Sequence, residues 1–284
     1  MTLTELKNNF RTTLKSTYPI EEIDSFFYLL MKFKLQLKRV DIALNPNQKV
    51  SDSDIVFFSD TLKKLEQEIP IQYIIGTTEF FGLPFYVNEH VLIPRPETEE
   101  LVSLILQHSK PKTQNSKLKI LDIGTGSGCI AISLAKNLSN TEVWALDISE
   151  KALKITQKNA DLNNVTIRFI KKDILALKEL HQKFDIIVSN PPYVRMQEKQ
   201  EINNNVLENE PHLALFVDDN NPLLFYDKIA DLAIKNLSEN GVLFFEINQY
   251  LGKETVELLK NKGFTTIKLH KDIFGNDRML KASF

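Results

Sequence analysis

Apolar residues recur at helical spacing through the first part of the chain. One stripe holds Leu3, Leu6, Phe10 and Leu14. Similar stripes follow Pro19 and Ser51, residues that favour the start of a helix. Because each of these helices has only one apolar face, we expect residues 1–70 to form a small helical bundle.

The pattern changes over residues 71–95. Two short aromatic runs flank Gly82 and Leu83, which predicts a β-hairpin. We interpret this stretch as a connector to a third domain that covers residues 96–284 and opens with a helix near Glu97.

From residue 118 onward, strand and helix patterns alternate, which is typical of a parallel α/β sheet. The predicted strands cover residues 119–123, 142–146, 166–170, 184–189, 242–246, 265–269 and 278–282. Helices are predicted over residues 129–135, 222–237 and 254–260, and Asn240-Gly241 predicts a turn into the strand that starts at residue 242. Residues 194–221 show no clear period, and we expect them to form a lid over the substrate.

The first predicted strand ends in a glycine-rich turn. This glycine loop consists of Gly124, Thr125, Gly126, Ser127 and Gly128. Glycines let a backbone turn tightly and approach a ligand. The next strand ends at Asp147, where a carboxylate can accept hydrogen bonds from both hydroxyls of a ribose. The spacing G-x-G-x-G favours an adenosine cofactor other than a dinucleotide.

Asp173 and Ile174 follow the third predicted strand. The carboxylate could accept from an adenine amino group while Ile174 packs on the ring. Ordinary turn residues are the alternative interpretation of this pair.

The fourth predicted strand ends in the proline corner, which consists of Asn190, Pro191, Pro192 and Tyr193. Prolines end a strand, and ligands of open α/β sheets bind at this edge. The amide oxygen of Asn190 and the proline carbonyls can accept N–H groups, while the Tyr193 ring can stack on a planar group. The corner therefore suits a planar amide or amino group, although a simple strand-ending turn would use the same residue types.

Composition narrows the class of partner. The 284 residues are 43% hydrophobic and 25% charged, with a net charge of −2, which indicates a globular protein without a general attraction for nucleic acid. Residues 32–39 are locally basic, either as a solvated face or as a contact for RNA or an acidic surface.

The single cysteine, Cys129, and a start without the apolar core of a signal peptide predict a reducing, cytoplasmic location. The histidines show no metal-ligand spacing.

The glycine loop, Asp147 and the proline corner together resemble the S-adenosylmethionine-dependent methyltransferases. More narrowly, residues 93–99, 188–193, 210–215 and 275–278 look like the HemK/PrmC family of peptide chain release factor N5-glutamine methyltransferases. The resemblance implies a Rossmann-like α/β fold with a mostly parallel seven-stranded sheet, an N-terminal helical bundle and a β-hairpin connector.

The resemblance also implies a role for each candidate residue. The glycine loop would pass under the methionine and ribose of S-adenosylmethionine, Asp147 would bind the ribose hydroxyls, and Asp173 and Ile174 would flank the adenine. The proline corner would form the catalytic and substrate-binding site: Asn190 and the Pro191 carbonyl would bind the glutamine amide, with Pro192 and Tyr193 completing the site. Asn190 would also contact the cofactor. S-adenosylhomocysteine would be the product.

The implied partner is a peptide chain release factor, bound by a monomer without membrane or direct nucleic-acid contact. Three other functions remain open on the residues alone. They are glutamine methylation of a ribosomal protein, N-methylation of adenine or cytosine in a nucleic acid, and cofactor binding without catalysis.

Overall fold

A computed structural model of the protein describes residues 1–109, 117–201 and 203–284. The described chain divides into two compact units. The first holds Met1–Gly76 together with Asn203–Asn209, and the second holds the rest of the described chain. The boundary after Gly76 divides the predicted connector, residues 71–95, between the two units.

The first unit is helical. Its helices are α1 (Leu3–Leu14), α2 (Ile20–Leu30), α3 (Arg39–Leu44), α4 (Asp52–Glu66) and α5 (Ile71–Ile75), with a π-helical turn at Met31–Leu35. Thr2 caps α1, since its hydroxyl accepts from the Glu5 amide while the Glu5 carboxylate accepts from the Thr2 amide. The predicted apolar stripe of α1 is buried in full and packs against α2 and α4.

The basic stretch over residues 32–39 makes contacts within the first unit. Lys34 lies 3.7 Å from the Asp54 carboxylate, and the Arg39 guanidinium lies over the Tyr28 ring, 4.6 Å from its centre. These contacts favour the interpretation of the stretch as a solvated structural face.

The second unit opens with the β-hairpin β1 (Thr77–Phe80) and β2 (Leu83–Tyr86). The hairpin is confirmed, but its turn is Phe81-Gly82, one residue earlier than predicted. Both turn residues have positive φ, 52° for Phe81 and 71° for Gly82. That combination matches the twist of the paired strands, and it tolerates Phe81 at a position where glycine or asparagine is the usual choice.

A seven-stranded sheet forms the centre of the second unit, as the sequence predicts. Its strands are β3 (Leu118–Ile123), β4 (Thr141–Asp147), β5 (Ile167–Lys171), β6 (Phe184–Ser189), β9 (Leu237–Glu246), β10 (Thr266–Lys271) and β11 (Asp277–Ser283). The order across the sheet is β10-β11-β9-β6-β3-β4-β5, and β11 runs in the direction opposite to the other six strands.

Helices cover both faces of the sheet. They are α6 (Pro96–His108), α7 (Cys129–Asn137), α8 (Glu150–Leu162), α11 (Leu224–Asn236) and α12 (Gly252–Asn261). One core cluster contains residues of α6, α7 and α8, and the other contains residues of α11 and α12. Strands covered on both faces are nearly uniformly apolar, which explains why alternation of single residues is weak here.

Strand β9 starts five positions earlier than its prediction at Val242. The pair Asn240-Gly241, expected to be a turn, lies within the strand. The register with β6 shifts between Phe184 and Ile186, and a Cβ on Gly241 would lie 3.0 Å from the Phe184 carbonyl. Glycine therefore permits a close approach of two strands at an irregular pairing.

The stretch without a period, residues 194–221, contains only short elements. They are β7 (Val194–Arg195), a 3₁₀ helix (Met196–Glu201), α9 (Asn204–Asn209), α10 (His212–Leu215) and β8 (Phe216–Val217). Residue 202 lies outside the described residues. Elements of two to six residues are too short to show periodicity.

Candidate active site

The glycine loop and the proline corner lie side by side at one edge of the sheet. Strand β3 pairs with β4 on one side and β6 on the other, so the chain leaves β3 and β6 at the point where the strand order reverses. Open α/β sheets bind ligands at such a switch point. The Ser189 hydroxyl donates to the Ile123 carbonyl at 2.7 Å, which ties the two strand ends together.

The glycine loop is held by main-chain hydrogen bonds and by side chains of the adjoining elements. The amides of Gly124 and Thr125 donate to the Leu146 carbonyl at 2.8 and 3.1 Å, and the amide of Gly128 donates to the Thr125 carbonyl at 2.8 Å. From α8, the Thr156 hydroxyl donates to the Gly126 carbonyl at 2.8 Å. The loop is thus fixed at both ends and in the middle.

Two of the loop glycines face open space. Gly124 and Gly126 have φ of +73° and +56°, and apart from the glycine and its two chain neighbours no described residue has an atom within 4 Å of where their Cβ would be. Gly128 differs, because its Cβ would lie 2.4 Å from Cγ2 of Thr156. The first two therefore leave room for a ligand against bare backbone, whereas the third is required by packing.

Asp147 ends β4 directly beside this space. Its Oδ2 accepts from the Gly126 amide at 2.9 Å, and its Oδ1 accepts from the Ser149 amide at 2.8 Å. Burial raises the pKa of Asp147, and the backbone bonds from Ser149 and Gly126 oppose that rise. A carboxylate has about four acceptor sites, more than these backbone amides occupy, so it can accept a further donor. An open backbone cradle beside a carboxylate fits the ribose and chain of an adenosine cofactor.

Asp122, at the end of β3, supports the same loop. Its Oδ2 accepts from the Thr125 hydroxyl at 2.6 Å. Burial raises the pKa of Asp122 to about 7, against the effect of that hydrogen bond. The sequence patterns assigned no role to Asp122.

Asp173 and Ile174 follow β5 on the far side of Asp147. The Lys172 amide donates to the Asp147 carbonyl at 3.2 Å, which brings this turn to the same edge of the sheet. The Asp173 carboxylate accepts from the Leu175 amide at 2.8 Å, and Ile174 is buried in a core cluster. These contacts are those of a turn, and the role of the pair toward adenine stays a prediction.

The proline corner is supported by side chains that are distant in sequence. Nδ2 of Asn190 donates to the Thr98 hydroxyl at 3.2 Å. Thr98 in turn donates to Oε2 of Glu246 at 2.7 Å, and the Tyr193 hydroxyl donates to Oε1 of Glu246 at 3.1 Å. Thr98 and Glu246 are 2% and 1% exposed, so this network is shielded from water.

Glu246 is a buried acid near a positive charge. Burial raises its pKa, while hydrogen bonds from Thr98 and Tyr193 and the charge of Arg278 oppose the rise. Burial also raises the pKa of the Tyr193 hydroxyl, and the neighbouring Glu246 adds to the effect. Tyr193 is therefore a neutral donor at physiological pH.

Sequence reasoning missed both Thr98 and Glu246. The signal for Glu246 was present, because it is a polar residue at the end of a predicted strand, as Asp147 is. Thr98 stood in the stretch 93–99 that was singled out, but its partner lies on another segment.

An ion pair fixes the approach to α6. Arg95 and Glu210 are 2.6 Å apart, and the Glu210 carboxylate also accepts from the Ile93 amide at 3.2 Å. The Glu210 side chain is 1% exposed. The pair joins two of the four stretches on which the family resemblance rests.

Other classes of site receive no support from the described residues. Among them, no group of three or more His, Cys, Asp or Glu side chains is placed to hold a metal ion. No helix in the described ranges is both long and apolar enough to cross a membrane.

Two family models match the chain. Residues 5–76 match the PrmC N-terminal domain, and residues 101–215 match the methyltransferase small domain. The first match covers most of the helical unit, and the second covers the glycine loop, Asp147 and the proline corner.

Solved structures share the fold. A methyltransferase from Pyrococcus furiosus aligns with a TM-score of 0.52 and 18% identity, over 78% of this chain and 98% of that one. The hMettl16 catalytic domain, solved in complex with the MAT2A 3′UTR hairpin 6, aligns with a TM-score of 0.55 and 19% identity, over 72% of this chain and 76% of that one. At these identities the likeness concerns architecture alone.

Curated relatives are similar over the whole length. A release factor glutamine methyltransferase from Flavobacterium psychrophilum is 58% identical over 100% of both chains. Another from Bacteroides thetaiotaomicron is 42% identical over 96% of this chain and 97% of its own. With matches of this identity and extent, the chain belongs to the release factor glutamine methyltransferase family.

Proposed function

We propose that this protein transfers a methyl group from S-adenosylmethionine to N5 of the glutamine in the Gly-Gly-Gln motif of class 1 peptide chain release factors. The observation that carries the proposal is the adjacency of the glycine loop and the proline corner at one switch point, joined by the bond from Ser189 to Ile123. A cofactor cradle and an amide-binding corner side by side are what methyl transfer to an amide requires. The family relatives supply the identity of the protein substrate.

The residues around the glycine loop would hold the cofactor. When bound, S-adenosylmethionine supplies an electrophilic methyl group on a sulfonium. The bare backbone at Gly124 and Gly126 leaves room for it, with Thr125, Ser127 and Gly128 shaping the loop. The Asp147 carboxylate would accept the ribose hydroxyls, and Asp173 and Ile174 would flank the adenine.

The proline corner would hold the acceptor. An amide nitrogen is a poor nucleophile, because its lone pair is delocalised into the carbonyl. Oδ1 of Asn190 and the Pro191 carbonyl would each accept one N–H of the glutamine amide, and Pro192 and Tyr193 would pack beside its plane. The methyl group would leave the sulfonium with cleavage of its carbon–sulfur bond, and positive charge would grow on the nitrogen, so these hydrogen bonds would strengthen towards the transition state and lower its free energy. After transfer the nitrogen would release one N–H proton to solvent, which restores a neutral amide.

We further propose that the protein works as a cytoplasmic monomer on protein substrates. A net charge of −2 gives no general attraction for a phosphate backbone, which disfavours methylation of DNA or RNA. Elution of the purified protein at twice the mass of one chain would contradict the monomer.

The function is tested by methyl transfer in competition. The purified enzyme is given labelled S-adenosylmethionine and, in one mixture, a class 1 release factor, ribosomal protein and duplex DNA. Mass spectrometry then locates the label. We expect one methyl group on the Gly-Gly-Gln glutamine. The matched control is a release factor whose glutamine is replaced by asparagine, which shortens the side chain by one methylene and should stay unlabelled. Label on ribosomal protein or DNA alone would overturn the proposal.

A further inference from the structure

The side-chain amide of Asn190 can bind a substrate N–H group in only one of its two orientations. With its oxygen toward the open corner it accepts an N–H of the substrate. Turned by half a rotation about its last bond, it would present an NH2 group to another NH2 group and repel it. The two orientations have almost the same shape, so packing alone cannot choose between them.

The hydrogen bonds around Asn190 select one of the two orientations. The Thr98 hydroxyl has one proton, and it donates that proton to Oε2 of Glu246 at 2.7 Å. Toward Asn190 the hydroxyl can therefore only accept, and it accepts from Nδ2 at 3.2 Å. The NH2 group is thereby committed inward, which leaves Oδ1 for the substrate.

Glu246 keeps the Thr98 proton in place. Its second oxygen accepts from the Tyr193 hydroxyl at 3.1 Å, so both carboxylate oxygens accept from hydroxyl groups that have no other proton to give. Burial raises the pKa of Glu246, while the bond from Thr98, the charge of Arg278 and the bond from Tyr193 oppose that rise and favour the ionised form, which accepts at both oxygens. With both oxygens engaged and 1% of the residue exposed, Glu246 is not placed to take a proton from the substrate.

We propose that Thr98 and Glu246 are positioning residues that lock the Asn190 amide with its oxygen toward the acceptor nitrogen. The same carboxylate holds the Tyr193 hydroxyl, so one buried acid sets two members of the proline corner. The network thereby selects an acceptor that donates an N–H and disfavours a carboxylate or carbonyl oxygen in its place. This inference rests on the proposed function for its kinetic readout.

The test compares two substitutions of Thr98. Thr98→Val keeps the shape and removes the hydroxyl, whereas Thr98→Ser keeps the hydroxyl and removes the methyl group. We expect kcat for release factor methylation to fall about 10–100-fold in Thr98→Val, the range for loss of a hydrogen bond to a buried charged network. Thr98→Ser should stay within about 3-fold of the wild type. The Kd for S-adenosylmethionine should change less than about 3-fold in both.

A second variant tests the inference in case Thr98→Val is too unstable to assay. Glu246→Gln keeps the size of the side chain but brings an NH2 donor. When that donor faces Thr98, the threonine proton is free to turn toward Asn190 and stabilise the reversed amide. We expect a kcat loss of about 10-fold with an unchanged Kd for the cofactor. Thermal unfolding of all variants shows whether each is folded at the assay temperature.

A readout without substrate separates this inference from the proposed function. In protein labelled with ¹⁵N-asparagine, the side-chain NH2 of Asn190, assigned by its loss in Asn190→Ala, should exchange slowly with solvent. It should exchange faster in Thr98→Val and remain slow in Thr98→Ser. Unchanged exchange in Thr98→Val, equal kcat losses in both Thr98 variants, or a parallel loss of cofactor affinity would overturn the inference. If instead the exchange pattern is as expected but the wild type methylates no release factor, the proposed function fails while the locked amide stands.

Discussion

The glycine loop presents bare backbone to the open space at Gly124 and Gly126, whereas the proline corner presents the side chain of Asn190, whose direction is set by another side chain. The loop bonds join neighbouring strand ends, as in the donation from Gly124 and Thr125 to the Leu146 carbonyl. In the corner, Asn190 depends on Thr98 of α6 and, through it, on Glu246 of β9.

The difference follows from what each part would bind. A cofactor of fixed structure is served by a preformed backbone cradle, which has few ways to rearrange. A substrate amide requires that acceptors face its N–H groups, and only a side-chain network can set the direction of another side chain. Changes in the loop should therefore act on cofactor affinity or folding, and changes in the corner should act on the rate of transfer.

The largest effect is expected for Asn190→Ala. Removing an acceptor that strengthens in the transition state should lower kcat by about 10²–10³-fold. The Kd for S-adenosylmethionine, measured by calorimetry, should stay within about 3-fold of the wild-type value, because the Asn190 amide would face the substrate glutamine. Equal losses in kcat and in cofactor affinity would place Asn190 in the cofactor cradle instead.

The next largest effect separates two glycines of the loop. Gly128→Ala combines a φ of +83° with a Cβ 2.4 Å from Thr156, and should lower the free energy of unfolding by about 3 kcal/mol. Gly126→Ala, with open space around its Cβ, should cost about 1 kcal/mol of stability but weaken cofactor binding about 10-fold. Urea denaturation and calorimetry check both. An equal loss of stability in the two variants would contradict the assigned difference.

Asp147→Asn should weaken cofactor binding by about 10–100-fold, since hydrogen bonds to a charged acceptor are lost. Burial raises the pKa of Asp147. A proton therefore occupies the acceptor at a higher pH than in an ordinary aspartate, and wild-type affinity should fall on acidification. The variant should lack that fall. Glu150→Gln is the matched control, because it removes the same charge from an exposed carboxylate paired with Lys171. A similar loss of cofactor affinity in Glu150→Gln would show that the effect of Asp147→Asn comes from the change in net charge alone.

The smallest effect is expected for Thr156→Val. It removes the 2.8 Å bond to the Gly126 carbonyl and should cost about 1 kcal/mol of unfolding free energy, with cofactor affinity reduced only about 3-fold. The loop keeps its other backbone bonds, so a side-chain support should matter less here than Thr98 does in the corner. A drop in kcat at saturating cofactor would break that contrast.

The parts of the site that could be predicted are those whose residues are adjacent in the sequence or lie at the ends of successive strands. The glycine loop is one run of residues, and Asp147 ends the adjacent parallel strand, so strand-end reasoning reached both. Thr98 and Glu246 escaped because their bonds join positions 92 and 148 residues apart, and only the folded sheet brings α6, β6 and β9 together.

The fold shows the same dependence on distance. The order of the seven strands along the chain followed from apolar runs and turn residues, whereas helix α8 was not predicted. The start of β9 was not predicted either, because Gly241 looks like a turn in sequence and is a close strand contact in the structure. The division of residues 194–221 into short elements was equally hidden, since each lacks a full period.

The separation of the two parts is tested most directly by a double-mutant cycle with Asn190→Ala and Gly126→Ala. Single-turnover methylation of a release factor at saturating cofactor gives the rate of transfer, and calorimetry gives the Kd for S-adenosylmethionine. We predict that the double variant shows the rate of Asn190→Ala and the Kd of Gly126→Ala, with a coupling energy below about 0.5 kcal/mol. A coupling above about 1 kcal/mol, or a Kd set by Asn190, would contradict a site built from two separate parts.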